Sequence, residues 1–175
     1  MAHFGTKVEY ALHTLLNISL APPDAAPSAR ELAEFQRLPL AFVRKLLTGQ
    51  QRAGLLRGAE GRQGGWQLAR DAAQITMLEI ADAAQGEVPL FDCRDVRTRC
   101  ALWEDDAVPA RARQGICEIH AVMRQAEDAM RARLAAVTLA DLRDRMGRKV
   151  PGWANVAAPR WFEAQRLRRA AGALP

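Results

Sequence analysis

The stretch from residue 28 to residue 68 admits few folds. Ser28-Ala29-Arg30-Glu31 has the spacing of a capping box, in which the serine hydroxyl and the glutamate carboxylate each satisfy a backbone N–H at the start of a helix. It opens a short helix over ARELAEF, apolar at Leu32, Ala33 and Phe35. Only Gln36-Arg37-Leu38 separates it from Pro39, a favoured first-turn residue, and from a second helix, LAFVRKLLTGQQRAGLL, with Phe42, Val43, Leu46 and Leu47 on one side. Two helices joined so closely form a helix-turn-helix. Behind them come a brief apolar strand at Leu55-Leu56, a turn holding Gly58, Gly61, Gly64 and Gly65, and the alternating strand Trp66-Gln67-Leu68. That is a β-ribbon with a basic tip, the wing of a winged helix. A glycine-rich turn also cradles phosphate in nucleotide hydrolases, but no Gly-Lys-Ser/Thr and no following helix accompany this one.

The flanking sequence predicts more helix. Thr6-Lys7-Val8-Glu9 reads as another capping box, opening a helix whose Val8, Leu12, Leu15 and Leu16 share a face and which ends before Pro22-Pro23. ITMLEIADAAQG (75–86) is a further short helix. From about Gln114 to Val137, Ile116, Ile119, Met123, Ala126, Met130, Leu134 and Val137 recur at spacings of three and four. A long helix with so narrow a stripe needs a partner, and the simplest is its own copy; packing on its own domain is the alternative. GRKVPGWANVAAP reads as a linker, and RWFEAQRLRRAAG as a short amphipathic helix with Trp161 and Phe162 packing somewhere. The expected fold is mainly α with a small β-wing, a winged helix-turn-helix domain (1–86), then a cysteine-bearing sensor loop (87–113), a dimerisation helix (114–142) and a basic C-terminal tail (143–175).

Charge is distributed unevenly along this plan. Residues 28–70 carry eight Arg/Lys against three Asp/Glu, residues 71–142 eight against thirteen, and residues 143–175 eight against two. The front half is therefore suited to a polyanion and the middle is not. A chain of 175 residues, 49% hydrophobic, buries a core without staples, and an odd three cysteines with no leader pattern argues against a secreted disulfide framework. ALHTLLNISLA is too short to span a bilayer and is broken by His13 and Asn17, so no membrane partner is expected and the cytoplasm is the expected compartment.

A helix-turn-helix sets its second helix in the major groove with the wing on the backbone. Opposite the Phe42/Leu46 stripe lie Leu40, Ala41, Arg44, Lys45 and Thr48. Of these Arg44 is the base reader by chemistry, because a guanidinium contacts guanine bidentately. Ser28, Arg30, Arg52, Arg57 and Arg62 are the expected phosphate contacts; the alternative for each arginine is a solvated face.

GTKVEYALHTLLNISL, SARELAEFQRLPLAFVRKLL, AGLLRGAEGRQGGWQLAR, ITMLEIADAAQG and VTLADL resemble, in order and spacing, the bacterial IscR/NsrR-type regulators, the Rrf-two family of winged-helix repressors, over roughly residues 3–142. The resemblance implies a homodimer on a palindromic double-stranded DNA operator, with the long helices pairing between subunits. In many members cysteines between the winged helix and that long helix hold an iron-sulfur cluster that alters DNA affinity; others keep one thiol or none.

The resemblance gives CRDVRTRC (93–100) a purpose. Phe91-Asp92-Cys93 matches the start of the cluster-bearing pattern, which here runs Cys93-x6-Cys100-x16-Cys117, with a longer second gap than the compact spacing of cluster-bearing members. A fourth ligand has two sources. Cys117-x2-His120 is similar to the Cys-x2-His of the IscR branch. Glu9 and His13, one helical turn apart, look like the first-helix acid and histidine that in another branch reach a cluster held by the other subunit. Each has an ordinary alternative: Glu9 as the third residue of the Thr6 box, either histidine as a boundary residue. The expected set is Cys100, Cys117, Glu9 and His13 around a 2Fe-2S cluster, with Cys93 as substitute and 4Fe-4S as second choice. Rivals are a regulator sensing through Cys93 or Cys100 as reactive thiols activated by neighbouring arginines, a zinc module, which the Cys-x6-Cys spacing disfavours, and an iron-sulfur electron carrier, which would not need a wing. No nucleophile-base constellation argues for an enzyme.

Overall fold

In the computed structural model the described residues are 4–22, 24–59, 64–103 and 108–172, and they form two compact units. The first, here the body, comprises residues 1–86 and 134–175; the second, the arm, comprises residues 87–133. The described chain is mainly helical with one two-stranded antiparallel sheet, as the sequence predicts.

The body is built on α1 (Thr6–Leu20), which buries Val8, Ala11, Leu15, Leu16 and Ile18. The Thr6–Glu9 capping box does not form. Gly5, extended, takes the N-cap, its carbonyl accepts from Val8 N–H at 3.0 Å, and its own N–H donates to the Gln85 carboxamide at 3.4 Å. The Ser28 box does form: Glu31 N–H donates to Ser28 Oγ, and Ser28 N–H donates to the Glu31 carboxylate at 2.7 Å, opening α2 (Ala29–Gln36). Arg37 then turns the chain in the left-handed region at φ 54°. Helix α3 (Leu40–Arg52) follows with Pro39 as N-cap, one position earlier than expected. Strands β1 (Leu56–Gly58) and β2 (Trp66–Leu68) pair antiparallel, Leu56 opposite Leu68 and Gly58 opposite Trp66, as the wing.

Two further capping boxes close the body. Thr76 with Glu79 opens α4 (Met77–Gln85), and Thr138 with Asp141 opens α7 (Leu139–Lys149). The residues just before them, Ile75–Thr76 and Val137–Thr138, face each other as a short antiparallel bridge, Met77 N–H donating to Val137 at 2.9 Å and Leu139 N–H to Ile75 at 2.8 Å. ITMLEI and VTLADL are thus two copies of one device: an extended apolar residue, a threonine cap, then helix.

The C-terminal segment departs most from expectation. GRKVPGWANVAAP is no linker: Gly147 lies inside α7, and Pro151 is the N-cap of α8 (Gly152–Ala171), a position from which no intrahelical N–H bond is donated, so proline costs none. Phe162 of α8 is only 1% exposed, so this helix contributes to the core.

The arm contains a 3-10 turn (Val96–Thr98), the one-turn helix α5 (Ala110–Arg113) and most of α6 (Glu118–Ala135). The long helix is shorter than the 114–137 expected from periodicity. Gly115 at φ +63° interrupts it before Ile116, and Val137 belongs to the bridge at the start of α7. Helix α6 buries no residue; Ile119 of its apolar stripe and nearby Val122 are 66% and 62% exposed.

Candidate nucleic-acid interface and thiol site

Helix α3 sorts its residues as a reading helix must. Val43, Leu46 and Leu47 face the core, while Ala41, Arg44, Lys45 and Thr48 are exposed; Leu40 is half-buried and packs against the core edge. Gln50, buried, donates through Nε2 to the Ile80 carbonyl of α4 at 3.2 Å, tethering the far end of α3. Arg30 on α2, Arg52 in the last turn of α3 and Arg57 on β1 are exposed. Ser28 Oγ is occupied as an acceptor in its capping box. Arg62, the remaining expected phosphate contact, lies outside the described residues, as does Gly61.

The wing is held at its base by backbone contact. A Cβ on Gly65 would stand 2.1 Å from the Ala26 carbonyl oxygen, a distance no side chain allows, so only glycine lets β2 run against the Ala26-Pro27 backbone. Trp66 N–H then donates to Pro27 at 2.9 Å, and Ala59 N–H to Gly65 at 2.7 Å. Beyond the wing, Arg70 pairs with Glu79 at 2.6 Å and fixes the exit toward α4.

In the arm, CRDVRTRC folds around Arg97. Its guanidinium donates to Asp95 at 2.8 Å and to the carbonyls of Gln114 and Gly115, so the segment is strapped to the residues just before α6; Trp103 Nε1 donates to the Arg97 carbonyl at 2.7 Å. Cys93, Cys100 and Cys117 are all unpaired with one another as disulfides and half-buried. Cys93 Sγ accepts from Asp95 N–H at 3.4 Å, and the Cys100 thiol donates to the Arg97 carbonyl at 3.8 Å. Cys117 occupies the N-cap position of α6, its carbonyl accepting from Ala121 N–H. Its thiol is held below the ordinary cysteine pKa, chiefly by the backbone N–H of His120 and then that of Ile119; partial burial opposes, and the Arg97 charge and the Cys93 side chain assist. Sequence spacing points to arginines around Cys93 and Cys100 as activators and sets Cys117 near the start of a helix running from about Gln114; the later start at Glu118 puts Cys117 at the cap itself, where the backbone N–H groups act on its thiol. The His120 ring packs edge-on to Phe91, centroids 6.2 Å apart.

Glu9 and His13 are exposed on one flank of α1 and line one side of an apolar cavity of about 440 Å³ with Val8, Leu12, Met77 and Leu134. Among the described residues they are the only ionisable ones in its lining. The candidate donors therefore fall into a first-helix pair in the body and a thiol group in the arm; within either unit, no three His, Cys, Asp or Glu side chains converge among the described residues. Residues the sequence reading did not single out also bear on the interface: Arg166 and Arg169 of α8 reach the segment preceding α2, a contact that no local pattern announces.

Known proteins agree with this architecture. The NsrR transcriptional repressor of Streptomyces coelicolor is 27% identical over 135 residues, 77% of this chain and 83% of its own. A further relative, 34% identical, aligns over only 49% of this chain and 58% of its own length. Among solved structures, that of T. potens IscR has a TM-score of 0.64 at 20% identity, covering 86% of this chain and 92% of that one; CymR of B. subtilis, a cysteine regulator, has a TM-score of 0.61 at 22% identity, covering 83% and 98%. At such identities these two show the fold. A family model described as iron-dependent transcriptional regulator matches residues 4–145, most of the chain, and the chain belongs to this family, Rrf2, whose members are regulators and not enzymes.

Proposed function

We propose that this protein is a transcriptional repressor that binds a palindromic double-stranded operator as a homodimer, and that an iron-sulfur cluster, 2Fe-2S, sets its operator affinity in the cytoplasm. The exposed face of α3 carries the DNA reading: Arg44, Lys45 and Thr48 point outward from a helix whose other side is fixed in the core. Arg44 reads a base, with Leu40 and Ala41 beside it, while Ser28, Arg30, Arg52, Arg57 and Arg62 hold phosphates. Dimerisation is supported by the exposed Ile119 and Val122 on a helix that buries nothing.

The donor chemistry suits a cluster. Iron-sulfur centres take thiolates, sometimes with histidine, and Cys117 is held toward the thiolate form beside the Cys93 side chain. The proposed ligands are Glu9 and His13 from the body of one subunit with two thiols from the arm of the other. Cys117 is one; its contact with Cys93 favours that residue over Cys100 as the second. When bound, such a group supplies a one-electron redox couple and a change of local charge. Glu9 and His13 sit on the helix that forms the floor of the reading domain, so engaging them from the partner's arm would tie the pose of the two wings to the state of the site.

Anaerobically purified protein tests this through its visible spectrum and its iron and acid-labile sulfide, expected at about two of each per chain. Glu9→Ala with His13→Ala should abolish the cluster and the switching of DNA affinity together. A colourless protein that resists reconstitution yet binds DNA would instead support the second reading, a thiol-sensing regulator, in which Cys117, activated by its helix start, is the reactive group.

A further inference from the structure

Helix α8 begins after the family match ends at residue 145, yet it is fastened to the parts of the body that hold the DNA-reading elements in place. Three of its residues at helical spacing, Phe162, Arg166 and Arg169, act on one side. Phe162 is buried against Phe35 of α2, ring centroids 4.9 Å apart, with Trp161 on the same ring at 5.0 Å. Arg166 reaches Asp24 at 3.6 Å while held by Glu163 at 2.6 Å.

Arg169 makes the decisive contacts. Its guanidinium donates to the carbonyl of Gly64 at 3.3 Å, on the returning limb of the wing, and to the carbonyl of Ala26 at 3.0 Å, the residue against which Gly65 packs. Its Nε lies 2.9 Å from Glu31 Oε1, the carboxylate that caps α2 through its other oxygen; the Glu31 side chain is 7% exposed and that of Arg169 22%. One planar fork thus joins wing, pre-helix segment and helix-turn-helix cap, a geometry an ammonium cannot reproduce.

We propose that Arg169 is a positioning residue for operator binding: α8 braces the wing against the start of α2, so that wing and reading helix meet the duplex as one rigid surface. Arg169 itself is turned inward and touches no phosphate. Its exposed neighbour Arg168 provides the control. The proposal rests on the DNA-binding reading above.

The test uses full-length protein and a 30-base-pair duplex (about three helical turns) selected from a random library with the wild type. Operator affinity and hydroxyl-radical footprints are measured for Arg169→Gln and Arg168→Gln at a temperature where circular dichroism shows both folded. The expected result is a loss of about tenfold or more for Arg169→Gln, with protection fading at the outer phosphates under the wing and persisting under α3, and a loss under about twofold for Arg168→Gln. Equal losses with unchanged footprint shape would make α8 a direct phosphate contact and overturn the proposal. Unchanged affinity with a lowered melting temperature would reduce Arg169 to a fold-stabilising residue and overturn it too. If Arg169→Gln does not fold, Arg169→Lys carries the same test with the same reading, since it keeps the Glu31 charge pair and loses the fork. Failure of the wild type to enrich any duplex would instead sink the DNA-binding reading itself.

Discussion

Body and arm are built on opposite principles. Every buried side chain among the described residues lies in the body, where α1, α2, α3, α4, α7 and α8 share one apolar core. The arm buries none; it is held by polar contacts centred on Arg97 and by Glu127 accepting from Leu90 N–H at 3.1 Å. Hydrophobic burial gives a rigid body, whereas hydrogen bonds exchanged with water contribute little net stability each. For a DNA-binding regulator that division keeps the reading surface fixed, and under the proposed function it leaves the thiol-bearing element open to chemistry and to a second subunit.

The largest expected effect tests whether α8 belongs to the body. Phe162→Ala should cost about 3 to 5 kcal/mol in chemical denaturation, the range for a fully buried aromatic; Val122→Ala in the arm should cost under about 0.5 kcal/mol in dilute protein. Comparable losses would erase the contrast. Next, Arg44→Ala should weaken operator binding by about 1 to 3 kcal/mol and relax the sequence preference at one base position of each half-site, read by selection from random duplexes. Uniform weakening across sequences would make Arg44 a phosphate contact.

Replacing Ile119 and Val122 together by serine should raise the dimer dissociation constant about tenfold, roughly 1.4 kcal/mol, in sedimentation runs, while leaving the melting of the body unchanged. An unaltered sedimentation profile would mean that this exposed face of α6 is not the dimer contact. The smallest effect concerns Cys117. Thiolate fraction rises with pH, so a depressed pKa moves its half-maximal alkylation below that of an ordinary cysteine; Arg97→Ala should shift it back upward, and a shift downward would contradict the assignment of the Arg97 charge as a stabiliser of the thiolate.

Local pattern sufficed for the helix-turn-helix, the wing and the Ser28 cap, because each is satisfied within a few residues: a hydroxyl three positions from its N–H, a glycine where two backbones meet, apolar side chains at helical spacing. The same logic failed at Thr6, where Gly5 caps the helix one residue earlier and its N–H meets a glutamine from α4, and at residues 147–159, where glycine and proline read as breakers became the inside of one helix and the cap of the next. The sequence by itself determined the helix-turn-helix, the wing and which face of α3 is free to read DNA. Only the tertiary structure decided that ITMLEI and VTLADL meet, and that Arg169 grips residues more than a hundred positions away. Those outcomes depend on pairs that are distant in the chain, and the free energy of such a contact exists only once the core has brought its two ends together.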